Sequence, residues 1–211
     1  MKRVIAVVSI LLMLVCALAG CKEKDPAAGL YGSWEGQIDL SAYLKERIIK
    51  DNVKLKETLE LSVYPAKVVF TFGEDGTVKR TIDGGFGEET LATLQSELLS
   101  GYTAYYTDYL KKNELDMTIA EFEAATGISL ERKAAQIAEK KYLEGLVDEI
   151  EYNGTFQVQE ATVYLGGFTD AQTPIGHIFE LKDGKLTLSV CTDPSGFEKA
   201  FYPLTLAAVK E

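Results

Sequence analysis

Few residues in this 211-residue chain can carry chemistry, and the thiol of Cys21 is the most conspicuous. It follows Leu18-Ala19-Gly20, which close an apolar run that begins at Val4 behind Lys2 and Arg3. A basic n-region, an apolar h-region and small residues at a cleavage point make a secretory signal peptide, here an N-terminal signal helix over residues 1–20. A membrane-crossing helix needs about 20 apolar residues; this run is shorter and gives way at once to Lys22-Glu23-Lys24-Asp25. Cys16 lies inside the h-region and leaves with it. Cys191 is then the only other thiol, so no intrachain disulfide can form. Its run, Leu186-Thr187-Leu188-Ser189-Val190-Cys191, makes it a small buried hydrophobe rather than a nucleophile.

Other chemistries find no constellation. His177 is the single histidine, without a Cys or His partner at zinc spacing, so no metal site is expected. A Ser-His-Asp triad would have to use His177, yet no Gly-x-Ser-x-Gly elbow occurs and Ser195 lies in a turn. Asp83-Gly84-Gly85-Phe86-Gly87 joins a strand to a helix, which invites a phosphate site. Glu88 and Glu89 in the first helical turn would repel an anion, and no P-loop Lys follows, so the segment is a connection. Asp148, Glu149 and Glu151 form a solvated helix face, and no calcium loop is present. The expectation is a protein that is not an enzyme, with no catalytic residues and no cofactor.

Composition narrows the class further. Residues 1–20 hold Lys2 and Arg3 and no acid, so their removal leaves 20 Lys and Arg against 32 Asp and Glu, a charge of about −12. That acidity excludes nucleic acid as partner, since phosphate contacts need cations. It also excludes a basic patch as the means of membrane attachment. At 46% apolar and 10% aromatic residues the chain can bury a core.

Residues 21–29 read as a short polar tether, and the domain proper as 30–211. Gly32-Ser33-Trp34 opens a strand of alternating polarity that runs to Leu40. Ser41 is placed to cap a helix from Ala42 to about Asn52. Lys54 to Val63 has a strand-like alternation, and Pro65 should break or bulge it. Val68–Phe72 and Thr77–Ile82 form a hairpin about Glu74-Asp75-Gly76. The period then changes: residues 86–151 read as a helical insertion. Leu91, Leu94, Leu98, Tyr102, Tyr105, Tyr106 and Tyr109 recur at three and four. Thr118-Ile119-Ala120-Glu121 is a capping box for a helix ending at Gly127, and Ser129 caps a third running towards Ile150. The tyrosine row is either the seam that packs the helix or a contact face, because tyrosine suits both. Strands resume at 155–158, 162–165, 177–181 and 186–191, the last two joined at Asp183-Gly184, and Phe201 to Val209 closes the chain. The pattern specifies a mainly β fold with a helical insertion, an α+β arrangement built on an antiparallel barrel of about eight strands.

Two resemblances add to this. Leu18-Ala19-Gly20-Cys21 resembles the lipobox of bacterial lipoproteins, which implies that Cys21 is acylated and becomes the mature N-terminus. The implied location is the extracytoplasmic face of a cell membrane, with the membrane as partner through that lipid. Lys22 lacks the aspartate that signals inner-membrane retention, so in a diderm the outer membrane is open to it. Gly32-Ser33-Trp34, Phe72-Gly73-Glu74-Asp75-Gly76-Thr77 and Asp183-Gly184-Lys185-Leu186-Thr187-Leu188 together resemble lipocalin-like domains of bacterial lipoproteins. That resemblance implies a barrel closed at one end by Trp34, and a role in binding a small apolar ligand or an envelope protein. The candidate contact residues are Trp34, which the resemblance suggests, and the row Tyr102, Tyr105, Tyr106 and Tyr109 read from its helical spacing. The family's arginine on the last strand has no counterpart, since Arg132 is the final arginine. A filled barrel that only presents its helices is the alternative.

Overall fold

The computed structural model describes residues 25–83, 86–166, 175–192 and 196–210. The signal segment, Cys16, Cys21, Gly84-Gly85 and Ser195 lie outside the described residues, as does the side chain of Cys191. Eight antiparallel strands close into a barrel, each pairing with its neighbours in sequence and the last with the first. They are β1 (Gly32–Asp39), β2 (Pro65–Phe72), β3 (Thr77–Asp83), β4 (Tyr152–Gln159), β5 (Thr162–Leu165), β6 (Ile175–Lys182), β7 (Lys185–Cys191) and β8 (Leu204–Ala208). Alternation decides which side chains fill it. Phe70 and Phe72 of β2, Val78 and Ile82 of β3, Val163 of β5, and Leu186 and Leu188 of β7 are all buried.

The two ends of the barrel differ. At one, tight turns join β2 to β3, β4 to β5 and β6 to β7. Gly76 (φ 81°), Asp183 (φ 51°) and Gly184 (φ 71°) supply the left-handed backbone that such short connections need. At the other end lie the helices of the described residues: α1 (Ser41–Asp51), α2 (Glu88–Lys112), α3 (Ile119–Thr126), α4 (Leu130–Ile137), α5 (Lys140–Asp148) and α6 (Gly196–Phe201). Four of them, α2 to α5, stand between β3 and β4. Helix α2 packs along α4, α3 and a 3₁₀ turn at Val53–Leu55. At Gly101 a Cβ would lie 3.4 Å from the Leu59 Cα, so the missing side chain lets that segment approach the helix.

Several local expectations are corrected. Ser41 does not cap α1. Asp39 does the work from outside, accepting from the Ser41 and Tyr64 amides at 2.9 Å each. Residues 56–64 form turns and loop rather than a strand, and Pro65 begins β2 instead of breaking it. At the first position of a strand a missing N–H costs nothing in the ladder. The third inserted helix divides at Ala138-Glu139 into α4 and α5. Phe201 ends α6, and the last strand starts only at Leu204. The capping box at Thr118 and Glu121 forms, and Gly127 ends α3 at φ 70°.

The stretch read as the later part of a flexible tether is folded. Asp25 accepts from the Ala27 amide and from the Tyr31 hydroxyl, Leu30 is fully buried, and the Trp34 indole donates to the Leu30 carbonyl at 2.7 Å. Residues 25–31 therefore seal the tight-turn end. The seam between β1 and β8 is the shortest register of the barrel, with two residue pairs, Trp34 with Ala208 and Glu35 with Ala207. Beside it Gly36 leaves room for β8: a Cβ there would stand 2.8 Å from Leu206 Cδ2 and 3.0 Å from the Thr205 carbonyl oxygen. Gly36→Ala should destabilise the fold by about 1–3 kcal/mol through overpacking, read as a lowered thermal midpoint; an unchanged midpoint would contradict tight closure there.

Candidate functional site

Trp34 and the tyrosines are placed by the elements expected to carry them, but mostly facing inward. Trp34 is buried at the sealed end, with its one polar atom bonded to the chain itself. Tyr102 and Tyr106 are buried in the seam between α2 and its neighbours. The Tyr102 hydroxyl donates to Asn52 Oδ1 at 2.9 Å, and the Tyr106 ring packs 4.9 Å from Phe122 of α3. Tyr105 is half-buried against Tyr106, and Tyr109 is 41% exposed. Lys54 lies over the rings of Tyr105 and Tyr106 at 5.9 and 5.7 Å, a cation–π contact on the outer side of the row. Half of the row is therefore core, which follows from the three-residue step between Tyr102/Tyr106 and Tyr105/Tyr109 on a helix of 3.6 residues per turn.

Inside the barrel the structure holds a polar group that sequence reasoning missed. Arg80 points inward from β3, between Val78 and Ile82. It donates from Nε to the Ile150 carbonyl and from Nη1 to Glu198 Oε1, both at 2.7 Å. Both side chains are nearly sealed from water, at 8% and 9% exposure. Its guanidinium stands 4.0 Å from the centroid of Phe197. Glu198 and Phe197 sit on α6, so this short helix is a plug driven into the barrel mouth. Tyr43 of α1 (6.1 Å from Phe201) and the surface pair Glu46–Lys199 hold its outer side.

His177, the lone histidine, is buried beside this group. Its Nδ1 shares a 2.8 Å hydrogen bond with the Tyr202 hydroxyl, while Nε2 has no partner. Burial pushes its pKa down to about 4; the Glu198 carboxylate opposes that shift and Arg80 adds to it. The imidazole is thus neutral near pH 7. One signal in the sequence pointed here: Arg80 occupies the inward parity of a hairpin strand, where a charge needs a buried partner.

Aromatic rings stack through the interior among the aliphatic side chains. Phe72 meets Phe156 edge-on at 5.0 Å, and Phe70 lies 6.1 Å from both Phe72 and Phe197. Three hollows lie outside this core. One of about 660 Å³ opens between the start of β2 and the first turns of α2, by Tyr64, Lys67, Glu89 and Thr93. Hollows of about 440 and 320 Å³ meet at Asp51, along the line where α1 and the 3₁₀ turn face the inserted helices. No group of three or more His, Cys, Asp or Glu among the described residues is arranged to hold a metal. No described helix is long and apolar enough to cross a membrane. Compared with family models, curated proteins and solved structures, the chain matches none.

Proposed function

We propose that the protein is a lipoprotein, anchored through acylated Cys21 on the extracytoplasmic face of a membrane, whose lipocalin-like barrel is filled by its own side chains and serves to present the inserted helices to an envelope component. The observation that carries this reading is the segment Leu18-Ala19-Gly20-Cys21 behind a basic and apolar leader, set four residues before the first described residue, Asp25. Two or three acyl chains hold a soluble domain firmly, because each buried methylene contributes roughly 0.8 kcal/mol. The aromatic packing of Phe70, Phe72, Phe156 and Phe197 favours a filled barrel over a carrier of small apolar ligands. The role proposed is binding, without catalysis.

Orientation follows from chain length. Residues 25–31 fold under the tight turns, and the link from Cys21 to Asp25 spans at most roughly 14 Å at full extension. The tight-turn end then lies close to the bilayer, and α1 to α6 face away from it. The test is Cys21→Ser in a bacterial host. The variant is expected to keep its leader and to lose the lipid-borne fraction of the parent. A variant cleaved and membrane-held like the parent would overturn the reading.

A further inference from the structure

We propose that the cleft between α1 with its 3₁₀ turn and the helices α2, α4 and α5 is a binding site for an uncharged polyhydroxylated ligand, a short saccharide of two or three rings. Its two hollows, about 440 and 320 Å³, share Asp51 and together match the size of small-molecule sites. The half-buried ring of Tyr142 is an apolar body of the kind that meets the C–H face of a sugar ring, and the largely buried Tyr102, Tyr106 and Leu146 border the cleft beneath it.

The walls decide the class of ligand. Arg47, Lys54, Lys133 and Lys141 stand against Asp51, Glu139 and Glu149, so the cleft is close to electrically balanced in a chain of net charge −10. A balanced wall holds neither a simple anion nor a simple cation. It does suit hydroxyls, each of which donates and accepts at once, as does the exposed Gln136 on the same walls.

An independent feature points to the same place. The Tyr142 hydroxyl is shut off from water and has no hydrogen-bond partner. Tyr142 lines the same hollow as Arg47, Asp51 and Glu149. Buried hydroxyls in folded proteins are ordinarily satisfied. Arg47 and Glu149, which line that hollow too, are paired with each other. A sugar hydroxyl that takes the place of Arg47 against Glu149 would reach the tyrosine and complete its hydrogen bonding.

The experiment uses the full chain in a sugar-free detergent, titrated calorimetrically with triacetylchitotriose, cellotriose, maltotriose and inorganic phosphate. At least one trisaccharide is expected to bind and phosphate is not. Tyr142→Phe should leave the melting temperature unchanged or slightly raised, because it deletes an unsatisfied group, while affinity falls about tenfold. Gln136→Ala, on the exposed wall, should weaken the same binding at least about threefold with no change in melting. Absence of binding by all three sugars at about 10 mM, preferential binding of phosphate, or sugar binding indifferent to both substitutions would each overturn the proposal. None of these outcomes depends on whether Cys21 carries lipid.

Discussion

Glu198→Ala should lower the stability of this protein by about 3–5 kcal/mol, because it leaves the Arg80 guanidinium buried without its carboxylate. The pair is sealed at 8% and 9% exposure and joined at 2.7 Å. Attraction at that distance offsets the cost of taking both charges out of water, and it fails completely when one partner goes. For a domain of this size, each kcal/mol moves the thermal midpoint by about 2–4 °C, so a fall of roughly 10 °C is expected. The paired substitution Arg80→Met with Glu198→Met should recover most of that loss, since apolar groups of similar volume commonly replace a buried ion pair at little or no cost. Circular dichroism melts of the three chains check this. If Glu198→Ala melts within about 2 °C of the parent, α6 is not the plug described.

His177 gives the second large effect, through pH. Its pKa is held down to about 4 from an ordinary 6.5, chiefly by burial. A base whose folded pKa is depressed binds fewer protons folded than unfolded, so its contribution is complete above about pH 6.5 and is lost as pH falls towards 4. The difference corresponds to about 3 kcal/mol over that window. Carboxylates held below their ordinary range, such as Asp39, Asp75 and Glu121, weaken the fold only as pH falls towards and below their ordinary values, 3.8 for the aspartates and 4.5 for Glu121. Denaturant unfolding at intervals from pH 7 to pH 5 should therefore show the parent losing stability and His177→Gln nearly flat. Parallel slopes for the two chains would show that the imidazole does not titrate with folding.

The barrel was largely legible because strand alternation and turn chemistry are local. Val68–Phe72 and Thr77–Ile82 about Gly76 are a hairpin on sequence grounds and a hairpin in the structure. Thr118 and Glu121 announce the start of α3 in the same way. What escaped was decided by contacts between distant segments. Residues 54–63 alternate, yet they fold as turns because Glu97 of α2 accepts from the Ser62 amide and the Tyr64 hydroxyl. Residues 25–30, Asp-Pro-Ala-Ala-Gly-Leu, carry no strand or helix period, and only their packing under the barrel orders them. In the interior, Arg80 and Glu198 stand 118 residues apart, on a strand and on a six-residue helix, and no local pattern couples them. The tyrosine row was legible as a helix stripe, but its division between seam and rim depended on where α3, α4 and the 3₁₀ turn came to rest.

The most direct test of the account is the mass of the mature N-terminal fragment from protein extracted out of bacterial membranes. The account predicts a chain beginning at Cys21, heavier than its sequence by a thioether-linked diacylglycerol, with or without a further acyl group on the new amine. A mature chain beginning elsewhere, or a Cys21 found as the free thiol, would contradict it.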